Sequence, residues 1–449
     1  LADLVPPNLR YSMHVNLVQH GREVCLAVNP RCGECPVQKF CRKFRSDEAA
    51  KSMVVDGPVT VDLFCGAGGM SSGFRKAGFK VAAALDADPV ALKTYRINHP
   101  EVPDARVLLK DIRTLRPGEL RKIAGSKVDV LVGSPPCQGF SSAGFRSKST
   151  KTGYVATSDE RNFLFEYFVK AVKELKPKLV LMVNVPGMNS ARKGGASFVE
   201  TAAQQLGMAG YETAIWKLNA SAFGVPQDRI RLFLVAAKSL PLPPRPQEDY
   251  QDIHKQDFDV DALPPVTLDE AIFDLPERAA NDGEVVERWD RDVIADPRQR
   301  RYLGRHGLLD SPTLLFNHTV RYHNERDLEL YNLLRPGEDS IHAIERHERP
   351  DLMRYRTDVF DDKYARLRPD RPSKTIVSHL AKDGNGYIHP FQVRSITLRE
   401  AARVQSFPDS YMFCGSPSDQ WVHLGNAVPP VLAEAIARSF NSVLNGGKR

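Results

Sequence analysis

Short apolar runs that end at glycine, proline or aspartate alternate with longer stretches of helical periodicity over much of the chain. The clearest runs are VTVDLF from Val59, VAAAL from Val81, VDVLV from Val128 and LVLMV from Leu179. Continuous apolar runs of this length are typical of strands that are buried on both faces of a parallel sheet. The pattern therefore predicts an α/β fold, with a mostly parallel, doubly wound sheet and helices on both of its faces.

Length and composition fit a soluble globular protein of two or three domains. The chain has 449 residues, of which 42% are hydrophobic and 26% are charged. No apolar run is long enough for a membrane span, and no signal peptide is recognisable. The net charge of +7 suits a polyanionic partner, although a solvated basic surface explains it equally well. Because the chain begins at Leu1, we expect further sequence upstream.

Four of the seven cysteines form a tight N-terminal cluster with the spacing C-x6-C-x2-C-x5-C: Cys25, Cys32, Cys35 and Cys41. Thiolates so close together can converge on one metal centre, either zinc or an iron–sulfur cluster. The segment 4–44 resembles the cluster loop of endonuclease III-type DNA glycosylases, which implies a [4Fe–4S] cluster, with zinc as the alternative. In that family the catalytic residues lie upstream of the loop, and this sequence does not contain them, so we expect residues 1–45 to form a metal-stapled module in a reducing cytosol and not a glycosylase.

A glycine-rich turn follows the first apolar run and precedes a predicted helix. Gly66 and Gly68 allow the backbone to approach a ligand closely. The next run ends at Asp86, where a carboxylate can accept hydrogen bonds from both ribose hydroxyls of a nucleoside. The phosphate-binding order G-x-G-x-x-G is not met, so a nucleoside without phosphates, such as adenosyl-methionine, fits better. Asp111 could bind an adenine amine or simply cap a helix.

Cys137 stands at the end of a predicted strand, behind Pro135 and Pro136 and before a loop rich in glycine and serine. A single cysteine is usually a small buried side chain, and this interpretation suits Cys65 and Cys414. Cys137 lies on no apolar face, and the rigid backbone before it presents the side chain. It therefore fits a thiolate nucleophile.

Residues from about 59 to 445 resemble the DNA (cytosine-5) methyltransferases through six motifs in the family's order. They are VDLFCGAGG, SPPCQGFS, DERNFLFEYF, VPQDRIRLFLVA, RSITLREAARVQSFPD and GNAVPP. The resemblance implies a Rossmann-like fold that uses S-adenosyl-methionine and acts on duplex DNA. It further implies that the target cytosine is flipped out, that Cys137 adds to its C6, and that C5 then takes the methyl group.

The resemblance also implies roles for residues along the whole chain. The cofactor would contact Phe64, Gly66, Gly68, Asp86, Asp111, Pro135 and Asn426. DNA would contact Gln138, Ser141, Gln227 and Thr375. Arg229 and Arg231 would reach the base O2 and the catalytic loop, although alternating residues of a surface strand fit their spacing as well. A last helix at roughly 428–444 would fold back onto the cofactor domain and bring Asn426 to the site.

The chain departs from the family at Val183. The family has Glu-Asn-Val at the end of this strand, and its glutamate contacts N3 and the amine of the cytosine, whereas this chain has Val183-Asn184-Val185. Valine can neither accept the amine proton nor protonate N3. Three interpretations remain open: an inactivated variant, a slow enzyme, or compensation by another acid. Loss of acid–base help favours impairment, and Asp159 and Glu166 lie in poor positions to replace it.

We expect five segments. These are a cluster tail at 1–45, a linker at 46–57, a catalytic and cofactor domain at 58–239, a target-recognition domain at 240–392, and a returning segment at 393–449. The resemblance implies a monomeric, cytoplasmic, nucleoid-associated bacterial enzyme with a cognate restriction endonuclease and no membrane contact. A non-catalytic DNA-binding or base-flipping protein and a transfer-RNA cytosine-5 methyltransferase are the alternatives.

Overall fold

The computed structural model describes residues 57–125, 127–136, 163–187, 192–193, 196–255, 260–283, 286–289, 300–308, 314–352 and 364–446. Several predicted site residues lie outside these ranges: the four N-terminal cysteines, Cys137, Gln138 and Ser141. The roles of these residues stay predictions.

The described strands are β1 (Val59–Leu63), β2 (Lys80–Asp86), β3 (Val107–Leu109), β4 (Val130–Gly133), β5 (Leu179–Asn184), β6 (Arg192–Lys193), β7 (Ala196–Ser197), β8 (Glu212–Asn219), β9 (Gln227–Asp228), β10 (Ile230–Ala237), β11 (Val286–Arg288), β12 (Leu314–Phe316) and β13 (Ser373–Lys374). The described α-helices are α1 (Gly69–Lys76), α2 (Pro89–Asn98), α3 (Glu119–Ala124), α4 (Leu164–Leu175), α5 (Phe198–Met208), α6 (Leu268–Ile272), α7 (Glu325–Leu333), α8 (Ser340–His347), α9 (Leu398–Val404), α10 (Pro417–Asn426) and α11 (Pro430–Leu444).

Seven strands form the central sheet in the order β3-β2-β1-β4-β5-β10-β8. The five strands from β3 to β5 are parallel to one another. Strand β10 inserts antiparallel between β5 and β8. The predicted α/β fold with a mostly parallel sheet is thus confirmed, and the four apolar runs all fall on central strands.

Alternate residues of the central strands enter two separate apolar cores, one on each face of the sheet. On β5, Val180 and Met182 pack with the cluster that includes α4 and α5. Leu181 and Val183 pack with the cluster that includes α1 and α11. Because successive side chains of a strand point to opposite faces, one apolar run fills both cores. This burial confirms the doubly wound arrangement.

Helix α11 packs directly on α1 of the predicted cofactor domain, as the resemblance implied. Helix α11 begins at Pro430, which suits the first turn of a helix. A Cβ atom added to Gly73 of α1 would lie 2.5 Å from the Cβ of Ala433 and 2.5 Å from the carbonyl oxygen of Pro430. Glycine therefore permits the close crossing that joins the end of the chain to the predicted cofactor domain.

A further apolar core unites residues 250–315 with residues 396–424. Helix α6 starts with a capping box in which Thr267 and Glu270 satisfy each other's backbone N–H groups. It packs beside α9 in this core. Residues on both sides of the expected boundary at residue 392 therefore share one core. The division into domains stays a prediction. None of the helices in the described ranges is long and apolar enough to cross a bilayer.

Candidate active site

The chain leaves β1 through a tight turn with three positive φ angles: 57° at Phe64, 52° at Gly66 and 93° at Gly68. Glycine adopts this region freely, but a phenylalanine there is strained, and such strain clusters at functional sites. The N–H of Gly66 donates to Oδ2 of Asp86 over 2.8 Å. The turn predicted from the glycines is therefore held against the acid predicted at the end of β2.

Both carboxylate oxygens of Asp86 accept hydrogen bonds from main-chain N–H groups. Oδ2 accepts from Gly66, and Oδ1 accepts from Asp88 over 2.9 Å. A carboxylate offers about four lone-pair positions, so acceptor capacity remains for a ligand. Burial raises the pKa of Asp86 above its ordinary value. The side chain of Asp88 accepts from Nε2 of His423 over 2.9 Å. Because His423 lies on α10, this contact brings the helix that ends at Asn426 to the same edge of the sheet.

Asp111 caps a short 3-10 helix at Ile112–Thr114, as one of the two sequence interpretations predicted. Its carboxylate accepts from Nη2 of Arg113 over 2.6 Å and from Nε over 3.0 Å. The guanidinium of Arg113 holds the pKa of Asp111 below its ordinary value. The N–H of Lys110 donates to the carbonyl of Asp86 over 2.9 Å. Asp111, the next residue, therefore lies close to the carboxyl end of β2. Its contact with adenine stays a prediction.

The strand before the predicted nucleophile ends beside β1 and β5. The side-chain amide of Asn184, the last residue of β5, donates to the carbonyl of Pro135 over 3.3 Å. The N–H of Ser134 donates to the carbonyl of Leu63 over 3.3 Å. Pro135 is buried. These contacts hold Ser134 and Pro135 at the carboxyl edge where the glycine turn lies, and Cys137 follows Pro135 by two residues in the sequence.

Val183 is 4% exposed and belongs to the apolar core between the sheet and the helices α1 and α11. It pairs with Phe233 on β10. Glu166 lies on α4, whose apolar residues pack against the other face of the sheet. The sheet therefore lies between α4 and the core around Val183.

Arg229 is buried, with 1% of its surface exposed, and lies between β9 and β10. Its Nη1 donates to the carbonyl of Ile376 over 2.8 Å and to Oε1 of Gln227 over 3.3 Å. Its Nη2 donates to the carbonyls of Gly425 and Ala427 over 2.8 and 2.9 Å. The surface-strand alternative is therefore wrong for Arg229. Burial lowers the pKa of Arg229 well below its usual range.

Arg231 differs from Arg229 in being only partly buried, and its Nη1 donates to the carbonyl of Ile230. Gln227 is buried, and its Nε2 donates to the carbonyl of Val404 over 3.3 Å. The hydroxyl of Thr375 donates to the carbonyl of Asp228 over 2.5 Å. Gln227 and Thr375 thus join the arginine segment to later parts of the chain, and their DNA contacts stay predictions.

The histidines after β12 have structural partners. Nδ1 of His318 lies 2.9 Å from Oγ1 of Thr397, the N-cap of α9, and Nε2 lies 2.9 Å from the carbonyl oxygen of Pro276. The structure therefore places His318 at a helix cap. Within the described ranges, no group of three His, Cys, Asp or Glu side chains could hold a metal ion.

Sequence reasoning missed the polar groups beneath the glycine turn. Tyr411 donates its hydroxyl to the carbonyl of Ala67, and Nε2 of His99 lies 3.1 Å from the carbonyl oxygen of Gly68. His99 occurs alone in the sequence, and Tyr411 lies 344 residues from its partner. The spacing of neither residue gives a signal, so only the fold identifies them.

A mostly parallel sheet with a glycine turn after β1 and an acid at the end of β2 is typical of the α/β folds that bind a nucleoside at the carboxyl edge of the sheet. The model of the C-5 cytosine-specific DNA methylase family matches residues 59–442. The chain therefore belongs to that family, as the six motifs predicted. The iron–sulfur binding domain of endonuclease III matches residues 25–41, a short segment that contains the four clustered cysteines.

The relatives of this chain include proteins named type II methyltransferases. M.DdeI of Desulfomicrobium norvegicum is 36% identical, over 85% of this chain and 88% of its own. M.AgeI of Thalassovita gelatinovora is 33% identical, over 86% of this chain and 100% of its own. A crystal structure of a proposed DNA modification methyltransferase from an E. coli prophage superposes with a TM-score of 0.64 and 26% identity. It covers 87% of this chain and 100% of that one.

Proposed function

We propose that this protein methylates C5 of cytosine in duplex DNA, as the modification enzyme of a type II restriction–modification system with a cognate endonuclease. The observation that carries the proposal is the Asn184–Pro135 contact. It holds Pro135, two residues before Cys137 in the sequence, at the sheet edge where Gly66 and Asp86 bind each other. A nucleophile and a nucleoside site at one edge are what methyl transfer between a base and adenosyl-methionine requires.

Each protein group would have a defined task in the reaction. The thiolate of Cys137 adds to C6 of a flipped-out cytosine, which makes C5 nucleophilic. S-adenosyl-methionine supplies the methyl group to C5. Loss of the C5 proton to a base then allows the thiolate to leave C6. Asn184 and Pro135 orient the nucleophile segment, and the partly buried Arg231 is better placed than Arg229 to reach the base.

We further propose that Val183 makes this chain slow, because the family's glutamate is missing. General acid–base help contributes on the order of 10²–10⁴-fold. A cytosine edge left against an apolar side chain would have unpaired polar groups, at roughly 1–3 kcal/mol each. The apolar surroundings of Val183 and the position of Glu166 on the opposite face support the loss of this help without compensation.

For residues 1–45 we propose a [4Fe–4S] cluster held by Cys25, Cys32, Cys35 and Cys41, with zinc as the alternative. The C-x6-C-x2-C-x5-C spacing and the match over 25–41 support the cluster. We assign it a structural task, because four ligands from one short segment fix that segment's conformation.

The experiment measures transfer of labelled methyl groups from adenosyl-methionine to mixed-sequence duplex DNA, with DNA binding measured in parallel. It compares the wild-type chain with Val183→Glu, Val183→Gln and Cys137→Ser. The glutamine variant matches glutamate in size but lacks the acid, so it separates acid–base help from filling of space. We expect Val183→Glu to exceed the wild type by 10²-fold or more, and Cys137→Ser to be inactive while still binding DNA.

Three results would overturn parts of the proposal. Fast transfer by the wild-type chain, with no gain in Val183→Glu, would show that another group activates the base. Transfer to transfer RNA by Val183→Glu, with none to duplex DNA, would favour the RNA alternative. Binding of DNA without transfer by any variant would favour a non-catalytic base-flipping protein.

A further inference from the structure

His99 is a fully buried histidine directly beneath the glycine turn, at the end of α2. Its Nε2 lies 3.1 Å from the carbonyl oxygen of Gly68 and 3.2 Å from the hydroxyl of Tyr411. Its ring stacks on Tyr95 with centroids 4.4 Å apart. Its Nδ1 lies 3.1 Å from Oε1 of Glu101, so the ring is oriented from both sides.

Tyr411 approaches the turn from the segment between α9 and α10. Its hydroxyl donates to the carbonyl of Ala67. Its ring packs against Phe407 and Phe413, with centroids 4.7 and 5.5 Å away. The hydroxyl is therefore carried by a rigid aromatic group that belongs to the late part of the chain.

The turn rests on these two side chains without intervening space. A Cβ atom on Gly68 would lie 2.4 Å from Nε2 of His99 and 2.9 Å from the hydroxyl of Tyr411. Ala67 is buried, so loss of the Tyr411 hydroxyl would take a hydrogen bond from its carbonyl, which is unfavourable. The carbonyl of Gly68 also accepts from the N–H of Ser72 over 2.9 Å, and His99 is a second contact there. The two side chains thus fix the direction of successive peptide units, and with them the N–H of Gly66 that binds Asp86.

We propose that His99 and Tyr411 are positioning residues for the cofactor, because they hold the glycine turn in the shape that receives the nucleoside. The inference rests on the proposed use of adenosyl-methionine. Neither side chain contacts the reacting atoms. Their removal therefore weakens cofactor binding and leaves the binding of DNA unchanged.

The test uses the full chain and measures the dissociation constants of adenosyl-methionine and S-adenosyl-homocysteine by calorimetry. Tyr411→Phe removes one hydroxyl and keeps the aromatic packing. Tyr211→Phe is the matched control, because the Tyr211 hydroxyl also donates to a carbonyl, that of Pro177, over 2.8 Å, before the start of β5. His99→Leu and His99→Gln form a second pair, since glutamine keeps an N–H donor near the position of Nε2.

We expect Tyr411→Phe and His99→Leu to raise both dissociation constants by about five- to tenfold, the loss of one buried hydrogen bond. His99→Gln should recover most of the affinity, and Tyr211→Phe should lower thermal stability alone. In active Val183→Glu chains, Tyr411→Phe should raise the KM for adenosyl-methionine with little change in kcat. Equal affinities for Tyr411→Phe and wild type would overturn the inference. A wild-type chain that binds neither compound would overturn both the inference and the proposed function.

Discussion

The guanidinium group of Arg229 donates to the carbonyl of Gly425 over 2.8 Å, although 196 residues separate the two. The same nitrogen binds the carbonyl of Ala427. These carbonyls flank Asn426, which is exposed and predicted to face the cofactor. One buried side chain therefore links the segment predicted to face the base with the helix end predicted to face the cofactor.

Arg229→Lys should destabilise the protein and weaken cofactor binding together. A lysine has one ammonium group and cannot span four acceptors that surround a planar guanidinium. Buried carbonyls would lose their partners, so we expect a loss of roughly 2–4 kcal/mol in the free energy of unfolding. Urea denaturation measures the stability, and calorimetry with adenosyl-methionine measures the binding.

Arg231→Lys is the control for this change, because Arg231 is partly exposed. It should change stability by less than about 1 kcal/mol. If Arg231 reaches the base, the variant should still reduce methyl transfer in a Val183→Glu background. Arg229→Lys with unchanged stability would contradict the role of Arg229 as a buried link.

Gly73→Ala should destabilise the crossing of α1 and α11. The new methyl group would lie 2.5 Å from the Cβ of Ala433, closer than carbon atoms can approach. Overpacking of this kind costs about 1–3 kcal/mol. Gly207→Ala is the matched control on α5, where an added Cβ meets nothing within 4 Å, and it should stabilise by about 0.5–1 kcal/mol. Thermal unfolding of both variants would check the pair, and equal effects would contradict the close crossing.

The sequence predicted the sheet because its apolar runs are long, uninterrupted and closed by glycine, proline or aspartate. The glycine turn, Asp86 and the helix at 430–444 were predictable for the same reason, since their residue types leave few conformations open. Asp111 was only partly predictable. A carboxylate before a helical turn fits both a helix cap and a contact to a ligand. In the structure, Asp111 caps the turn and binds the guanidinium of the neighbouring Arg113.

Contacts between distant segments could not be predicted, because no local pattern records them. Arg229 looks like one of two alternating charges in a strand, yet its partners lie at Ile376, Gly425 and Ala427. The position of His99 under the turn likewise depends on how α2 packs. Val183 was identified only by comparison with the family motif, since a valine at the end of a buried strand is unremarkable by itself.

Asp409→Asn should destabilise the region around α9. Arg403 is fully buried and donates through Nε to Asp409 over 2.8 Å, and it also pairs with Asp274. Breaking a buried pair costs about 3–5 kcal/mol, and we expect the lower end because Asp274 remains. The comparison is Arg438→Ala, which breaks a pair with Glu434 at an arginine that is 70% exposed. It should cost less than about 1 kcal/mol in chemical denaturation. Similar losses in the two variants would count against a buried pair at Arg403.

His318 should make stability fall in mild acid. Burial lowers the pKa of His318 to about 4. The unfolded ring takes up a proton below about pH 6.5 while the folded ring stays neutral, so stability is lost as the pH falls from about 6.5 toward 4. Asp62 acts in the opposite direction, because burial raises its pKa to about 7. The pH dependence of the wild-type free energy of unfolding therefore does not isolate His318. The effect of His318 is measured by comparison with a His318 variant.

His318→Gln keeps an amide that can donate to the carbonyl of Pro276 but removes the titration. The stability difference between wild type and His318→Gln should shrink by roughly 2 kcal/mol between about pH 7 and about pH 5. Urea denaturation at several pH values measures this difference. A difference that stays constant over this range would mean that the buried ring does not titrate as expected.

Residues 1–45 should carry iron and sulfide in a 4:4 ratio when the chain is purified without oxygen, as expected for a [4Fe–4S] cluster. Cys32→Ser should lose the metal, because one of four thiolate ligands is missing. Cys414→Ser is the control, since Cys414 is a buried free thiol far along the chain. Metal analysis and visible absorbance distinguish the cluster from zinc, which is colourless. One zinc per chain and no iron would show that the site binds zinc and not a cluster. Loss of methyl transfer in Cys32→Ser without loss of DNA binding would contradict a purely structural task.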